Sequence, residues 1–204
     1  MTRQCGNCTL CCRLMPMDAG RDSADVVSAA IEVGLLKPND AAHMIKDFFK
    51  PAGCRCPHQR HGKGCSIYAV RPFGCRTWSC RWLTNEDTAD LSRPDRSHYV
   101  VDCMPDYVTN DGNTIPVIQV WLDPNYPDAH EDPALRAYLD RRGKEGWAAL
   151  IRLSSSKAFA LAPPSMTNDG KWYVKHSEVV EREHTAEDKV KALGPMTLTF
   201  KEAP

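Results

Sequence analysis

The sequence predicts an α+β protein in two parts: a small helical, loop-rich domain over residues 1–83 and an antiparallel-sheet α+β domain over residues 84–204. Three observations carry this reading. Apolar residues recur at helical spacing between residues 24 and 49. Residues 53–82 are rich in glycine, proline and cysteine and poor in apolar side chains. From residue 97 onward, short β-rich runs alternate with turn signals. The 204 residues are 42% hydrophobic and 25% charged, an ordinary balance for a chain that buries a core.

The first predicted helix follows Ser23 as N-cap, with Val26, Val27, Ala30, Ile31 and Leu35 on one face. Gly34 weakens its end and Pro38 stops it. Asp40 is placed to cap a second helix through Ala41, Met44, Ile45, Phe48 and Phe49, closed by Pro51 and Gly53. Ile31, Leu35, Ile45 and Phe48 are expected in a small core. Ser66-Ile67-Tyr68 predicts a helical turn. Thr84 to Asp87 reads as a helix start with Asp87 as the capping-box acid, and Pro94 as its end. His98–Cys103 and Pro116–Leu122 form an expected antiparallel pair, with a turn at Asn110–Asn113. Asp132-Pro133 opens a helix presenting Leu135, Tyr138 and Leu139 on one side, ended by Gly143. Trp147–Leu153 and Ala158–Ala162 pair across Ser154–Ser156; Asn168-Asp169-Gly170 turns before Lys171–Val174. Residues 177–192 are expected to be helical.

Cysteine density sets the chemistry. Cys5, Cys8, Cys11 and Cys12 fall within eight residues, and Cys56, Cys65, Cys75 and Cys80 follow after the two predicted helices. A segment as poor in apolar residues as 53–82 cannot easily fold by burial, so it needs staples. No run of about 18 apolar residues predicts a membrane span, and the first residues show no signal-peptide core, so the expected compartment is reducing cytoplasm. Structural disulfides are rare there, which favours metal. C-x2-C units bring two thiolates to one ion, and eight cysteines suit two four-thiolate zinc sites or iron–sulfur clusters. Cys11-Cys12 is a vicinal pair whose side chains diverge, which suits a bridge between adjacent sites. Cys54, His58 and His61 are further candidate ligands, although loop histidines are commonly only solvated. Cys103, beside Val100 and Val101, reads as a buried core thiol.

Formal net charge is zero, yet residues 1–17 and 53–82 carry Arg3, Arg13, Arg55, Arg60, Lys63, Arg71, Arg76 and Arg81 and no acid. Such a frame compensates bound thiolates, with Arg71 and Arg76 as outer-shell donors. A nucleic-acid patch is the lesser alternative. Trp78 and Trp82 flank Cys80 and are expected to wall the site from water.

The run C-x2-C-x2-C-C at Cys5–Cys12, then Cys56-Pro57, Cys65-Ser66-Ile67-Tyr68, Arg71-Pro72, Cys75-Arg76 and Cys80, resembles the CxxCxxCC cysteine-cluster family (YkgJ-like). The resemblance covers roughly residues 1–82 and implies a zinc- or iron-chelating domain. Cys54 is extra, and Trp78-Ser79 stands where that family often has an aromatic-proline pair; neither removes a ligand. Flagellin lysine N-methylases look similar in this motif, which opens an enzyme reading, but no glycine-rich loop for a methyl donor is present. An iron–sulfur electron-transfer protein with a redox partner is the other alternative. The C-x3-C-x2-C radical-enzyme spacing is absent, since Met15 occupies its third position. H-E-x-x-H, P-loop and G-x-S-x-G motifs are absent too. Cys5-Gly-Asn-Cys8 as a thiol–disulfide exchange motif lacks the preceding strand that chemistry uses.

Overall fold

The computed structural model describes residues 3–21, 24–60, 62–102, 106–110, 113–153 and 157–161, and the short strands 165–166, 172–173, 176–180 and 196–197. It is an α+β fold, as the sequence predicts. Helix α1 (Leu10–Leu14) buries Leu10 and Leu14, one turn apart, and leaves Cys11 and Cys12 on its flanks. Strand β1 (Met17–Asp18) pairs antiparallel with β2 (Phe49–Lys50), which brings the chain after the two helices back beside α1.

Helix α2 (Ala24–Glu32) lies where the periodicity places it; Ser23 is outside the described residues. Gly34 takes a φ of +75°, and the N–H groups of Leu35 and Leu36 both return to Ala30 O, at 2.9 and 3.1 Å. This reversal turns Leu35 outward, 72% exposed, and buries Leu36 instead. The local core is Ala30, Leu36 and Met44, with Val27, Ile31, Ala41 and Phe73 against it. Ile45 and Phe48 are half-buried. Helix α3 (Pro38–His43) begins at Pro38 rather than being blocked by it, because a proline at the first helical position loses only an N–H that has no partner anyway. It stops before Met44, short of the predicted end, because Phe49–Lys50 leaves to pair with β1.

Strands β3 (Gln59–Arg60) and β4 (Gly64–Cys65) form a small hairpin with Gln59 opposite Cys65. A 3-10 turn (Tyr68–Val70), α4 (Phe73–Thr77) and α5 (Arg81–Thr84) follow. The predicted helix start at 84–87 is a single 3-10 turn, Glu86–Thr88, without a side-chain cap. The Asp87 carboxylate is instead drawn to Arg81 and Arg142, at 2.9 and 3.0 Å. Pro94 again begins a helix, α6 (Pro94–Ser97), closed by His98 at φ +62°.

The remaining strands are β5 (Tyr99–Val101), β6 (Asp106–Asn110), β7 (Asn113–Leu122), β8 (Ala148–Arg152), β9 (Lys157–Leu161), β10 (Ser165–Met166), β11 (Trp172–Tyr173), β12 (His176–Val180) and β13 (Met196–Thr197). The large sheet runs β12-β9-β8-β7-β6-β13, with β5 paired to the Val120–Leu122 end of β7 beyond β6. It is mixed rather than purely antiparallel: β7 and β8 run parallel because α7 (Pro133–Lys144) crosses over between them, and β13 is parallel to β6. Both expected pairs, β5–β7 and β8–β9, are present and antiparallel. Asp132 caps α7, accepting from Ala134 N at 2.9 Å, and Leu135, Tyr138 and Leu139 are buried as predicted. His176–Val180 is a strand on β9, not the start of a helix; its Val, His and Ser content suits a pleated edge better than a helix face. Residues 181–192, the tips of the turns at 110–113 and 168–170, Ser154–Ser156 and Ala162 lie outside the described residues.

Alternation along β5 decides where everything sits. Tyr99 and Val101 join Leu135, Tyr138, Ile118, Val120 and Ile151 in the main core under α7. Val100 points to the other face, where it meets Leu10, Leu14, Cys8 and Cys80. The sheet is therefore the floor on which α1, with Cys8 and Cys11, and Cys80 stand. Among the described residues, no helix is long and apolar enough to cross a membrane.

Candidate metal centre

The first cysteine turn is built by Gly6, at φ +56°, which lets Cys8 N donate to Cys5 O at 3.0 Å. Cys5 Sγ lies 3.5 Å from Cys8 O. Cys8 and Cys80 are buried in one cluster with Val100, and Cys11, Trp78, Trp82 and Trp121 pack against it. The indole N–H groups of Trp78 and Trp82 donate to Asp102 Oδ1 and Leu91 O, at 2.9 and 3.0 Å, so both rings are fixed in place as walls. Arg3 clamps the start of the chain to the carbonyls of Trp82 and Asn85 and to Thr88 Oγ1.

The second segment folds back onto the first. Cys56 N donates to Cys12 O at 3.1 Å, and Gln59 Nε2 donates to Thr9 Oγ1. Gln59 N returns to Cys56 O at 3.0 Å, so the β3–β4 hairpin carries Cys65 toward Cys56. Cys54 is exposed, and His58 is half-buried with its ring 5.3 Å from that of Phe48. His61 and Cys103 lie outside the described residues.

Lys50 is the residue that sequence reading missed. It is only 4% exposed, and its ammonium donates to Cys54 O at 2.8 Å, Pro51 O at 3.3 Å and Arg13 O at 3.4 Å. These contacts use all three donors and join the two cysteine segments. Burial pulls the Lys50 pKa down, while the nearby thiols of Cys56, Cys54, Cys12 and Cys75 pull it up. Nothing in Phe49-Lys50-Pro51 marks a buried lysine, because the burial comes from the β1–β2 pairing.

The structure redistributes the basic frame. Arg13 pairs with Asp123, which is 1% exposed, and so holds α1 to the end of β7. Arg76 directs Nε to Arg71 O at 3.1 Å, also donates to Ala69 O, and stands 3.7 Å from Asp40; it braces the loop that leads to Cys75. Arg81 goes to Asp87. Arg71 stacks on the exposed Tyr68 ring at 3.8 Å, and its buried Nε has no hydrogen-bond partner. Arg93, outside the acid-free segments, reaches Asn7 Oδ1 at 3.2 Å and holds Asp95 at 2.6 Å. Lys50, Arg71 and Arg93 are thus the cations beside sulfur.

Electrostatics follow this layout. Burial first, then neighbouring thiols, raise Cys5; burial raises Cys8. Burial pushes Cys75 up to about 12, reinforced by Cys12, Cys56 and Cys65 and opposed by Arg71. The neighbouring thiol of Cys12 and then burial raise Cys11 well above the ordinary thiol range, while Cys11 and then Lys50 and Arg71 lower Cys12 to about 7. A site of raised thiols is one in which a cation must displace protons to bind.

Among the described residues, no three His, Cys, Asp or Glu side chains already converge on one point as a finished ion site. In kind, the donors fit a thiolate-bound metal. No disulfide joins the nine described cysteines, and the orphaned Arg71 Nε lies where charge on Cys12 and Cys75 is felt. Residues 4–95 match the CxxCxxCC family model, described as "Putative zinc- or iron-chelating domain", which bears out the resemblance read from the cysteine spacing. No curated protein and no solved structure matches the chain.

Proposed function

We propose that the cysteine region is a metal-binding staple in a reducing, cytoplasmic setting, with Cys5, Cys8, Cys11, Cys12, Cys56, Cys65, Cys75 and Cys80 as the thiolate ligands of zinc or of an iron–sulfur centre. The observation that carries this is the folding-back of the second cysteine segment onto the first around Lys50, whose buried ammonium supplies the counter-charge that thiolates need. Cys54 and His58 lie at the margin of this group. A bound ion supplies the attraction that draws the thiols together. The chain supplies the rest: Gly6 sets the first turn, α1 splits Cys11 from Cys12, and the tryptophans exclude water. The metal's role is structural, because the segments it joins bury little apolar surface. Zinc in finger-type sites contributes roughly 10–16 kcal/mol of folding free energy at neutral pH, ample for that task. An iron–sulfur centre would add electron exchange with a redox partner.

Metal analysis of anaerobically purified full-length protein tests this reading. Stoichiometric zinc in a colourless protein supports the structural role, and iron with a brown chromophore assigns the cluster. Protein that carries no metal, and takes up neither zinc nor iron after reduction, would refute it. Cys103→Ser should leave the metal content intact.

A further inference from the structure

We infer that the β3–β4 hairpin and the 3-10 turn behind it form a docking surface for single-stranded RNA, with Arg55, Arg60 and Lys63 on phosphates and Tyr68 under a base. The inference goes beyond the metal-binding reading and does not depend on which ion, if any, the cysteines hold.

The cations of this region divide into two groups. Residues 48–85 carry seven Lys and Arg and no Asp or Glu. Four of the seven are committed within the fold. Lys50 is buried on three carbonyls, and Arg81 pairs with Asp87. Arg76 braces the Ala69 and Arg71 carbonyls and meets Asp40, while Arg71 lies over Tyr68. The other three are Arg55, Arg60 and Lys63. All three are exposed, and among the described residues none has an ion-pair partner. Arg55 holds Gln59 O, at 3.4 Å. In a chain of zero formal net charge, such an acid-free surplus is a local field that suits a polyanion.

The hairpin presents these charges together. Gln59 is buried against Thr9, so strand alternation turns its neighbour Arg60 outward. Gly62 and Gly64, at φ +66° and +82°, turn the tip and add no side chain to it. Ser66 closes the base, its N and Oγ both donating to His58 O at 2.9 and 3.1 Å. At about 3.3 Å per residue, Lys63 lies within roughly 10 Å of that base. Tyr68 opens the next turn, two residues beyond Ser66.

Tyr68 decides which polyanion fits. Its side chain is 67% exposed, and the Arg71 guanidinium stacks on one face of the ring at 3.8 Å, so the other face is open. Arg76 on Ala69 O and Ile45 N on Val70 O, at 2.9 Å, fix the turn before any ligand arrives, so little ordering remains to be done on binding. An acidic peptide would meet the cations but bring nothing to stack on the ring, whereas a nucleobase does both with its own phosphate. Bases in a duplex are already stacked on one another, which favours a single strand. In the cytoplasmic setting proposed above, that strand is RNA. Stacking and phosphate contacts carry no base-edge readout, so binding is sequence-tolerant.

The test is fluorescence anisotropy of a short fluorescein-labelled oligouridylate with the reduced full-length protein as purified, over a series of salt concentrations. Three phosphate contacts predict a slope of log K against log salt of about −2. Arg60→Gln/Lys63→Gln should bring the slope to about −0.7. Tyr68→Ala should weaken binding about 5- to 100-fold with the slope unchanged, and Tyr68→Trp should retain it. Far-UV circular dichroism and metal content, equal in wild type and variants, show that fold and cysteine site are intact. No binding at low salt, unchanged affinity in Tyr68→Ala, equal affinity for duplex RNA, a preference for oligothymidylate of the same length, or equal competition by polyglutamate would each overturn the inference. Binding by a wild type that carries no metal would refute the metal reading alone.

Discussion

Arg13→Met removes the guanidinium that pairs with Asp123 and keeps most of the apolar stem. The Asp123 side chain is 2% exposed and that of Arg13 35%, so the variant strands a buried carboxylate at the end of β7. Leaving such a charge without its partner costs about 3–5 kcal/mol. Two features moderate it here. Asn125 continues to donate its backbone N–H and Nδ2 to Asp123 Oδ1 at 3.1 Å each, and the space vacated by Arg13 opens toward water. The expected loss is therefore at or just below the lower end of that range, about 2–3 kcal/mol. At this chain length each kcal/mol moves the unfolding midpoint by roughly 2–4 °C, so the drop should be about 5–10 °C. Thermal unfolding of the reduced protein as purified, with wild type and variants at the same metal content, followed by circular dichroism at neutral pH, measures it. The double variant Arg13→Met/Asp123→Asn should recover most of the loss, because no charge is then left unpaired. A shift of about 1 °C or less, or a double variant no more stable than the single one, would refute the view that this buried pair holds α1 to the sheet.

Two further outcomes test the sheet domain. Asp132→Ala should cost about 2–3 kcal/mol, because Asp132 caps α7 and its Oδ2 also accepts from the buried Tyr99 hydroxyl at 2.9 Å; Asp132→Asn should restore most of it in a denaturant titration. Burial raises Tyr138 from 10 to about 12, so its contribution is complete below pH 10 and disappears as pH rises toward 12. Tyr138→Phe should therefore lessen the alkaline loss of stability across that interval by roughly 2–3 kcal/mol, and an unchanged alkaline profile would contradict the buried hydroxyl.

Proline shows how local chemistry and tertiary context divide the work. Pro38, Pro94 and Pro133 each open a helix. Only Pro133, preceded by the capping Asp132, was readable as an opener from the sequence, because the other two lack a capping side chain. The apolar pattern of Leu135, Tyr138 and Leu139 was legible because a helix face is set by spacing alone. The parallel β7–β8 pairing was not, since it depends on which edge of the sheet the returning chain meets. Likewise, Leu36 rather than Leu35 is buried, because the left-handed turn at Gly34 redirects the chain after the helical period has ended.

The sequence by itself determined the chemical inventory: the ordered cysteines, the acid-free segments that carry them, and the α+β division. Ligand type and spacing are covalent facts and survive any folding. What only the tertiary structure decided is which charges meet the sulfur. Arg13 and Arg81 turned to Asp123 and Asp87, while Lys50, expected at the end of a helix, became the buried cation between the two cysteine segments. The physical reason is that charge compensation depends on distance and burial. Both were set by the β1–β2 pairing and by the face of β5 on which Val100 lies.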